Sequence, residues 1–482
     1  MAILENLEPQ EVFHFFEELS NVPRGTFDTK KVSDYLMSFA QERGLEAYQD
    51  DLNNVIIKKG GTAGYEDAEP VILQGHMDMV CEKRPGSDHD FKTQGLELYV
   101  EDGYVKAKDT TLGGDDGIAV AMALAILDSN EIPHPPIEAL FTVDEESGME
   151  GANGIDLTLL KGKKLLNIDS EEEGTLTVGC AGGIRYEAVV PVRREKVNGT
   201  RVTVKLHGLL GGHSGSEIHK QRGNAHKMMG RLLNRIEKEV PFQIVELGGG
   251  SKDNVIPMES TAKIILPSDS KEKAADTIRE MEAIWNHEFM GEEPGLILDM
   301  EIEEGVCTDA CDKDSTERVI GFFLLCPNGL YEYSRKLKGI VESSLSVGVV
   351  DTHENYVRSE FLIRSSVESK KQYLREMLEG CAKAFGGQGK TLSEYPAWQY
   401  NPDSEICHIL EDTYREVYGK DPVVSTVHAG LECGIFLGKR PDLDCVSFGP
   451  DLLDIHSFNE KLDIASTQRT WEYLKAVLKK CK

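Results

Sequence analysis

The sequence has no long hydrophobic run: none of its 482 residues lies in a stretch near the roughly 18 apolar residues that a membrane-spanning helix needs. Its first residues, MAILENLEPQEVFHFFEEL, are acidic and lack the basic segment and apolar run of a secretory signal. We therefore expect a cytoplasmic protein with no membrane partner.

Basic residues are scarce relative to acidic ones. The chain has 53 Lys and Arg against 83 Asp and Glu, which gives a formal net charge of −30. A surface of this sign repels phosphate backbones and anionic lipid headgroups. The composition therefore argues against a nucleic-acid partner.

Several short motifs are also missing. The ten cysteines are scattered and form no CxxC pair, which argues against a zinc ribbon or a thioredoxin-type site. No G-x-G-x-x-G opens a helix after a strand, so nucleotide binding has little support. The segment 212–216, GHSGS, has Ser216 where a serine-hydrolase elbow needs glycine.

Helix and strand patterns alternate in the first part of the chain. Apolar residues recur at helical spacing near 12–19 and 32–39, and 117–127 (GIAVAMALAIL) has the composition of a buried helix. The short runs NVIIKK, PVILQG, IEALFTV and KLLNID have the length of buried strands. This alternation predicts an α/β domain with a doubly wound mixed sheet.

The pattern changes near residue 185. The stretch 201–206, RVTVKL, alternates polar and apolar residues, and amphipathic helices are predicted at 223–239, 271–287, 314–325 and 367–384, with strands near 255–265, 296–303 and 340–364. Covered-strand patterns return after residue 395 with VVSTVH and DCVSFG. We predict a discontinuous catalytic domain, 1–184 and 395–482, interrupted by an inserted α+β lid domain, 185–394.

Histidine and carboxylate residues follow the apolar strands. In open α/β sheets the carboxyl ends of parallel strands meet at one crevice, where binding sites are found. Imidazole and carboxylate groups gathered there suit a pair of divalent metal ions. The residues concerned are His76 and Asp78, the pair Asp115-Asp116, the run Asp144-Glu145-Glu146, Asp169 and His456.

Residue chemistry indicates different roles within this set. His76 can offer one ring nitrogen to a metal while Asp78 holds the proton of the other nitrogen. Glu145 and Glu146 are adjacent, so in extended chain only one of them faces the metal, and the other is then available as a general base. Asp115, at a helix start, could bridge two metals with its two oxygens.

Each element also has an ordinary structural explanation. An isolated His-x-Asp is commonly surface polarity, an acidic run after a strand is commonly a solvated turn, and an acidic helix start complements the helix dipole. These explanations are independent of one another. Their joint occurrence, each after a strand, therefore favours the metal site.

The motifs also resemble a known family. GHMDMV, TLGGDDGIAVAMALAIL, FTVDEESGMEGA, NIDSEEEG and DIHSFNE resemble the co-catalytic metallopeptidases that include carboxypeptidase G, aminoacylase and carnosinase. HGLLGGHSGSEIHKQRGNAHK and HAGLECGIF resemble more closely the bacterial dipeptidases of that family. The likeness spans nearly the whole chain.

The resemblance implies specific roles for the metal-site residues. Asp78 would support His76, Glu145 would be the general base, and relatives imply a cis peptide bond between Asp115 and Asp116, where Asn often replaces the second residue. The implied ligand set is His76 and Asp169 on one zinc, Glu146 and His456 on the other, and Asp115 bridging both.

The resemblance also implies roles within the predicted lid. His213, in GGHSG, would stabilise the tetrahedral oxyanion, and Arg364 would bind the terminal carboxylate of the substrate. Asn254 and Gly430 would line the same substrate pocket. For Arg364 a surface ion pair is the structural alternative.

The resemblance implies a two-metal dipeptidase that cleaves small unblocked peptides of the Xaa-His type, with broad specificity. A metal-bound hydroxide would attack the scissile carbonyl while Glu145 moves the proton. Zinc is the expected metal, although the ligands also suit manganese or cobalt. An N-acyl amino acid deacylase and a metal-free binding protein are the alternative functions. The oligomeric state stays open between a homodimer and a monomer.

Overall fold

The computed structural model describes residues 3–482, and these contain twelve α-helices. Among them, no helix is long and apolar enough to cross a bilayer. The helices, numbered in chain order, are α1 (Gln10–Ser20), α2 (Lys30–Glu42), α3 (Gly114–Asp128), α4 (Glu145–Gly148), α5 (Glu150–Gly154), α6 (Ala225–Glu237), α7 (Lys271–Glu288), α8 (Lys313–Leu325), α9 (Glu368–Ala384), α10 (Glu405–Tyr418), α11 (Glu432–Lys439) and α12 (Ile464–Lys480).

The same residues form 23 β-strands. In chain order they are β1 (Glu46–Gln49), β2 (Val55–Lys59), β3 (Val71–His76), β4 (Leu98–Glu101), β5 (Tyr104–Ala107), β6 (Ile137–Thr142), β7 (Lys164–Asn167), β8 (Thr175–Cys180), β9 (Gly182–Pro191), β10 (Arg194–His207), β11 (Gly212–His213), β12 (Gln243–Gly248), β13 (Val255–Ile256), β14 (Ser260–Leu266), β15 (Ile297–Cys311), β16 (Gly329–Tyr333), β17 (Val341–Thr352), β18 (Tyr356–Ser365), β19 (Gln388–Tyr395), β20 (Val423–Val427), β21 (Asp444–Ser447), β22 (Leu452–Leu453) and β23 (Lys461–Asp463).

The described chain divides into two compact units. The first comprises residues 3–179, 400–426 and 431–482, and the second comprises residues 180–399 and 427–430. Each unit is therefore built from more than one segment of the chain.

The first unit contains an eight-stranded sheet in the order β1-β2-β6-β3-β7-β21-β8-β20. β3 pairs in parallel with both β6 and β7, and β7 pairs in parallel with β21, whereas β1, β2 and β8 pair antiparallel. Every residue of β3 and β6 is buried, as their almost wholly apolar sequences predicted. This mixed sheet with its flanking helices confirms the predicted α/β fold.

Helix α3 is apolar on all sides and lies buried against β3. The prediction of a buried helix over 117–127 is confirmed, although the helix is kinked at its start, where Asp115 and Asp116 have non-helical backbone angles. The parallel strands β3, β6 and β7 end next to the acidic and histidine-containing segments that follow them. The sheet therefore positions several chemically active residues at one edge.

The second unit is built from antiparallel sheets and four helices. A four-stranded sheet has the order β12-β14-β10-β15, and a five-stranded sheet has the order β16-β17-β18-β9-β19. The four predicted amphipathic helices are present as α6 to α9, because each buries an apolar face in one core. The strands predicted near 340–364 are β17 and β18, which pair as an antiparallel hairpin.

Candidate active site

His76 is the last residue of β3 and its side chain is buried. Its Nε2 lies 3.1 Å from Asp115 Oδ1 and 3.7 Å from Asp169 Oδ1. Its Nδ1 lies 3.4 Å from Asp78 Oδ1 and 3.2 Å from the Asp78 carbonyl oxygen. One ring nitrogen thus faces a pair of carboxylates, and the other faces Asp78, which holds the ring in place.

Asp115 lies at the kinked start of α3, where its two carboxylate oxygens face two different histidines. Oδ1 lies 3.1 Å from His76 Nε2, and Oδ2 lies 3.1 Å from His456 Nε2. The Asp115–Asp116 peptide bond is cis, which confirms the prediction. The Asp115 carboxylate therefore stands between two imidazoles, as a bridging ligand would.

Glu145 and Glu146 form the first turn of the short helix α4 after β6. The expectation that they lie in extended chain and face opposite directions is wrong. In this helical turn an oxygen of each lies within 4.8 Å of the other and of a ring nitrogen of His76. Asp144 has a left-handed backbone (φ 54°), which starts the helix directly after the strand. A helical turn can direct consecutive side chains to one site.

His456 completes the group from the C-terminal part of the chain. Its Nε2 lies 2.9 Å from Glu146 Oε2, and its side chain is 46% exposed. Its backbone has a left-handed conformation (φ 57°). Asp115, Glu146 and His456 thus offer three ligand atoms within 4.8 Å of one another. A second group of this kind consists of His76, Asp116 and Asp169.

The charges in this cluster strongly perturb one another. Burial raises the pKa of Glu145 to about 8, with Glu146 and Asp115 adding to the shift and His76 opposing it. Burial likewise raises the pKa of Asp169. Hydrogen bonds to Asp115 and Glu146 raise the pKa of His456 to about 10. Carboxylates are therefore crowded here beyond what two imidazoles neutralise.

The residues fit a divalent metal centre. Carboxylate oxygens and imidazole nitrogens are the ligand types that zinc and related ions accept. Ligand atoms around a tetrahedral zinc lie about 3.3 Å apart, and the contacts of Asp115 with the two histidines measure 3.1 Å. In residues 3–482, Asp115, Glu146 and Asp169 form ion pairs with histidines alone. Buried carboxylates without lysine or arginine partners need another source of positive charge.

Sequence-predicted residues of the second unit also lie close together. β11, which contains His213, pairs with β13, and the Ser214 N–H donates to the Asn254 carbonyl at 2.8 Å. Arg364, on β18, has its Nη2 3.4 Å from His213 Nε2, and its Nη1 donates to Tyr395 Oη at 3.0 Å. His213 and Arg364 therefore belong to one polar cluster, and the backbone of Asn254 is hydrogen-bonded beside it.

Arg364 is only 4% exposed and its guanidinium contacts Tyr395 and His213 rather than a carboxylate, so the alternative of a surface ion pair is wrong. Its buried Nε has no hydrogen-bond partner among residues 3–482. Burial, reinforced by Arg364, lowers the pKa of His213. A buried guanidinium that has no carboxylate partner is available to bind an anion.

Gly430, two residues after His428, belongs to the same unit as Arg364. His428 Nε2 and Ser344 Oγ form a hydrogen bond of 2.7 Å. A Cβ at Gly215 would collide with the His428 carbonyl and come within 3.0 Å of Arg364 Nε. The chain therefore passes so closely between Arg364 and His428 that only glycine fits.

Sequence reasoning missed two buried charged residues next to the predicted metal ligands. The carboxylate of Glu460 accepts hydrogen bonds from the backbone around Gly113, and the guanidinium of Arg24 donates to backbone carbonyls near His76. Glu460 lies in the motif DIHSFNE, whose last residue was assigned no role. Arg24 lies in no motif, so the sequence offered no signal for it.

Comparison with known proteins supports this description. The model of peptidase family M20/M25/M40 matches residues 72–480. The cytosol non-specific dipeptidase of Escherichia coli is 36% identical over 99% of this chain and 99% of its own length. The crystal structure of aminoacylhistidine dipeptidase from Vibrio alginolyticus has a TM-score of 0.93 and 38% identity, over 99% of this chain and 98% of that one.

A more distant structure shares only the fold. Aminopeptidase PepT from Bacillus cereus has a TM-score of 0.58 and 17% identity, over 98% of this chain and 99% of that one. The predicted resemblance to the co-catalytic metallopeptidases is confirmed by the family match and by the two nearly full-length relatives. These findings identify a hydrolase that uses divalent metal ions, and the chain belongs to peptidase family M20/M25/M40.

Proposed function

We propose that this chain is a cytosolic two-metal dipeptidase acting on small unblocked peptides. The observation that carries the proposal is the position of Asp115, whose two oxygens each lie 3.1 Å from a different histidine. One carboxylate held between two imidazoles suits a bridging ligand in a centre of two metals. The names of the E. coli and Vibrio relatives support dipeptides as the substrate class and, for E. coli, the cytosol as the compartment.

We assign His76 and Asp169 to one metal, Glu146 and His456 to the other, and Asp115 to both. Zinc suits this mixture of nitrogen and oxygen ligands best, and manganese or cobalt could replace it. The 3.4 Å approach of Asp78 Oδ1 to His76 Nδ1 supports a role in fixing the ring orientation.

Bound divalent ions would polarise the scissile carbonyl and acidify a water molecule. In our mechanism Glu145 accepts the proton of the attacking water and passes it to the leaving amine. The position of Glu145 supports this role, because its backbone N–H donates to Asp78 Oδ1 at 3.2 Å and Asp78 in turn lies against the His76 ring. That hydrogen bond holds the start of α4 in register with His76.

We assign substrate binding to the polar cluster of the second unit, and to residues 185–394 the role of a lid domain. His213 would donate to the oxyanion, since the burial that lowers its pKa favours a neutral ring. Arg364, buried without a carboxylate partner, would bind the C-terminal carboxylate of a dipeptide. Asn254 and Gly430 would line the same pocket.

The proposal is tested by comparing three substrates on one metal-loaded preparation: a dipeptide of the Xaa-His type, its tripeptide extension and its N-acetyl analogue. Binding both ends of a dipeptide places its single peptide bond over the catalytic groups. We expect kcat/KM to be highest for the dipeptide. Equal rates on the tripeptide would contradict the proposed selection for length.

The alternatives predict different outcomes of the same experiment. An N-acyl amino acid deacylase would prefer the N-acetyl compound, and a metal-free binding protein would turn over none of the three. A homodimer stays a prediction, which sedimentation of the metal-loaded protein would test. Peptides, rather than nucleic acids, are the proposed partners of this strongly acidic chain.

A further inference from the structure

Two buried residues of opposite charge contact the same glycine of the metal site. Gly113, with a left-handed backbone (φ 65°), lies two residues before Asp115. Its N–H donates to Glu460 Oε2 at 3.0 Å, and its carbonyl accepts a hydrogen bond from Arg24 Nη2. Arg24 and Glu460 are 2% and 3% exposed, so both charges are held inside the protein.

Glu460 binds more than one peptide group of this turn. Its Oε2 also accepts from the Leu112 N–H at 2.8 Å, and its Oε1 accepts from the N–H groups of Gly114 at 2.8 Å and Asp115 at 3.3 Å. Four consecutive N–H groups thus point at one carboxylate. Charge-assisted hydrogen bonds of this kind are about twice as strong as neutral ones, so the carboxylate fixes the backbone that presents Asp115.

Glu460 is also tied to the segment that contains His456. The Glu460 N–H donates to the Ser457 carbonyl at 3.1 Å, and Ser457 Oγ donates to the Asp454 carbonyl at 2.7 Å. The turn from Asp454 to Glu460 is therefore internally hydrogen-bonded. A shift of Glu460 would displace His456 and Asp115 relative to each other.

Arg24 makes the corresponding link to the segment of His76. Its Nη1 donates to the carbonyls of Met77 and Asp78, each at 3.2 Å, while Nη2 donates to Gly113. A Cβ at Gly113 would lie 2.5 Å from Arg24 Nη2, so the glycine allows this close approach. Arg24 also lies outside residues 72–480, which the family model matches.

We propose that Arg24 and Glu460 are positioning residues that set the relative placement of His76, Asp115 and His456. Arg24 joins the His76 segment to the Gly113 turn, and Glu460 joins that turn to the His456 segment. The guanidinium of Arg24 binds the carbonyl of Gly113 and the carboxylate of Glu460 binds its N–H, so the two opposite charges act on one residue. Among the residues described, the two side chains form no ion pair with each other. The inference rests on the proposed function, because it assumes that these three residues bind metal.

The test measures metal affinity rather than activity alone. Metal-stripped wild type, Glu460→Gln and Arg24→Met are titrated with Zn²⁺ by calorimetry, and the visible absorption spectrum of each is recorded with Co²⁺. Residues that support metal ligands contribute about 10- to 100-fold in metal affinity. We expect each variant to bind Zn²⁺ about 10- to 100-fold more weakly than wild type, with an altered Co²⁺ spectrum.

Glu138→Gln is the matched control. Glu138 is also a buried carboxylate that accepts backbone hydrogen bonds, from Lys161 at 2.8 Å and Gly162 at 2.9 Å, but it lies near the start of β6, at the end away from Glu145. We expect this variant to lose thermal stability and to keep its Zn²⁺ affinity within about twofold. An equal loss of affinity in this control would overturn the inference, because any buried charge would then have the same effect.

A double variant tests whether the two residues act together. Since both contact the Gly113 turn, Arg24→Met with Glu460→Gln should lose less affinity than the product of the two single losses. If Glu460→Gln does not fold, Glu460→Asp replaces it, because its shorter side chain cannot reach all four N–H groups.

The outcomes separate this inference from the proposed function. Folded variants with wild-type Zn²⁺ affinity and Co²⁺ spectra would overturn the positioning role while leaving the dipeptidase proposal intact. A wild type that binds no metal would overturn both.

Discussion

Asp115 and His456 are 341 positions apart in the sequence, yet Asp115 Oδ2 lies 3.1 Å from His456 Nε2. The other oxygen of the same carboxylate lies equally close to His76. Burial by itself would raise the pKa of Asp115, but the hydrogen bonds from His456 and His76 outweigh burial and lower it. Asp115 is therefore the residue on which both proposed metal positions depend.

The proposed general base gives the first prediction. Glu145→Gln removes the proton acceptor but keeps the size of the side chain and the fold of α4. We expect full metal content and a fall in kcat of roughly 10² to 10⁴, the usual contribution of a positioned base. The exposed Glu150, in the next helical segment, provides the control Glu150→Gln, which should keep wild-type kcat. Near-normal turnover in fully metallated Glu145→Gln would exclude this role.

Metal content gives the second prediction. His76→Ala and His456→Ala each remove a ligand from a different proposed metal, whereas Asp115→Asn weakens both. Mass-spectrometric metal analysis after dialysis should give two ions per wild-type chain, one for each histidine variant, and fewer than one for Asp115→Asn. His207→Ala is the control, since His207 is paired with Asp299 at 2.8 Å in the other unit. A wild-type content of one ion would contradict the two-metal centre.

Arg364 gives the third prediction. Arg364→Ala removes the guanidinium proposed to bind the substrate carboxylate, so kcat/KM for a dipeptide should fall about 10- to 100-fold, as expected for hydrogen bonds to a charged group. For the corresponding dipeptide amide, which has no carboxylate, kcat/KM should fall little in the same variant. Arg358→Ala on the same strand is the control, because Arg358 is already paired with Asp351 and Glu360. Equal losses of kcat/KM on both substrates would show that Arg364 does not bind the substrate carboxylate.

The pH dependence of stability gives the fourth prediction. Burial lowers the pKa of His226 in the second unit to about 4, below its ordinary value of 6.5. Between pH 6.5 and 4, His226 is therefore protonated in the unfolded chain but neutral in the folded protein. The free energy of unfolding consequently falls as the pH falls through this window. Above pH 6.5 the residue has no such effect.

His226→Gln removes this titration while keeping a polar group near Ser260 Oγ, which lies 3.0 Å from His226 Nδ1. Between pH 7 and pH 4, wild type should lose about 3 kcal/mol more unfolding free energy than the variant. Denaturant unfolding at several pH values measures the difference, with exposed His219→Gln as the control. Parallel curves for wild type and His226→Gln would show that the buried histidine is not the cause.

Much of the fold could be predicted from local patterns. The fully buried strands β3 and β6 and the apolar helix α3 have sequences that leave few other structures open. In the second unit the exposed edge strand β19, which contains a glycine and little apolar surface at its start, has no such pattern and was missed. Strands of this kind form because a neighbour, here β9, supplies the hydrogen bonds.

The sequence by itself determined which residue types follow each strand, because apolar runs specify the strands and parallel strands end at one edge. Only the tertiary structure decided that Glu145 and Glu146 share a helical turn, that Arg364 is buried without a carboxylate, and that Asp115 stands between two histidines. The sequence likewise could not predict the hydrogen bonds of Arg24 and Glu460 to Gly113. They join residues far apart in the chain through backbone groups, and backbone groups are the same in every residue, so no local pattern of side chains records them.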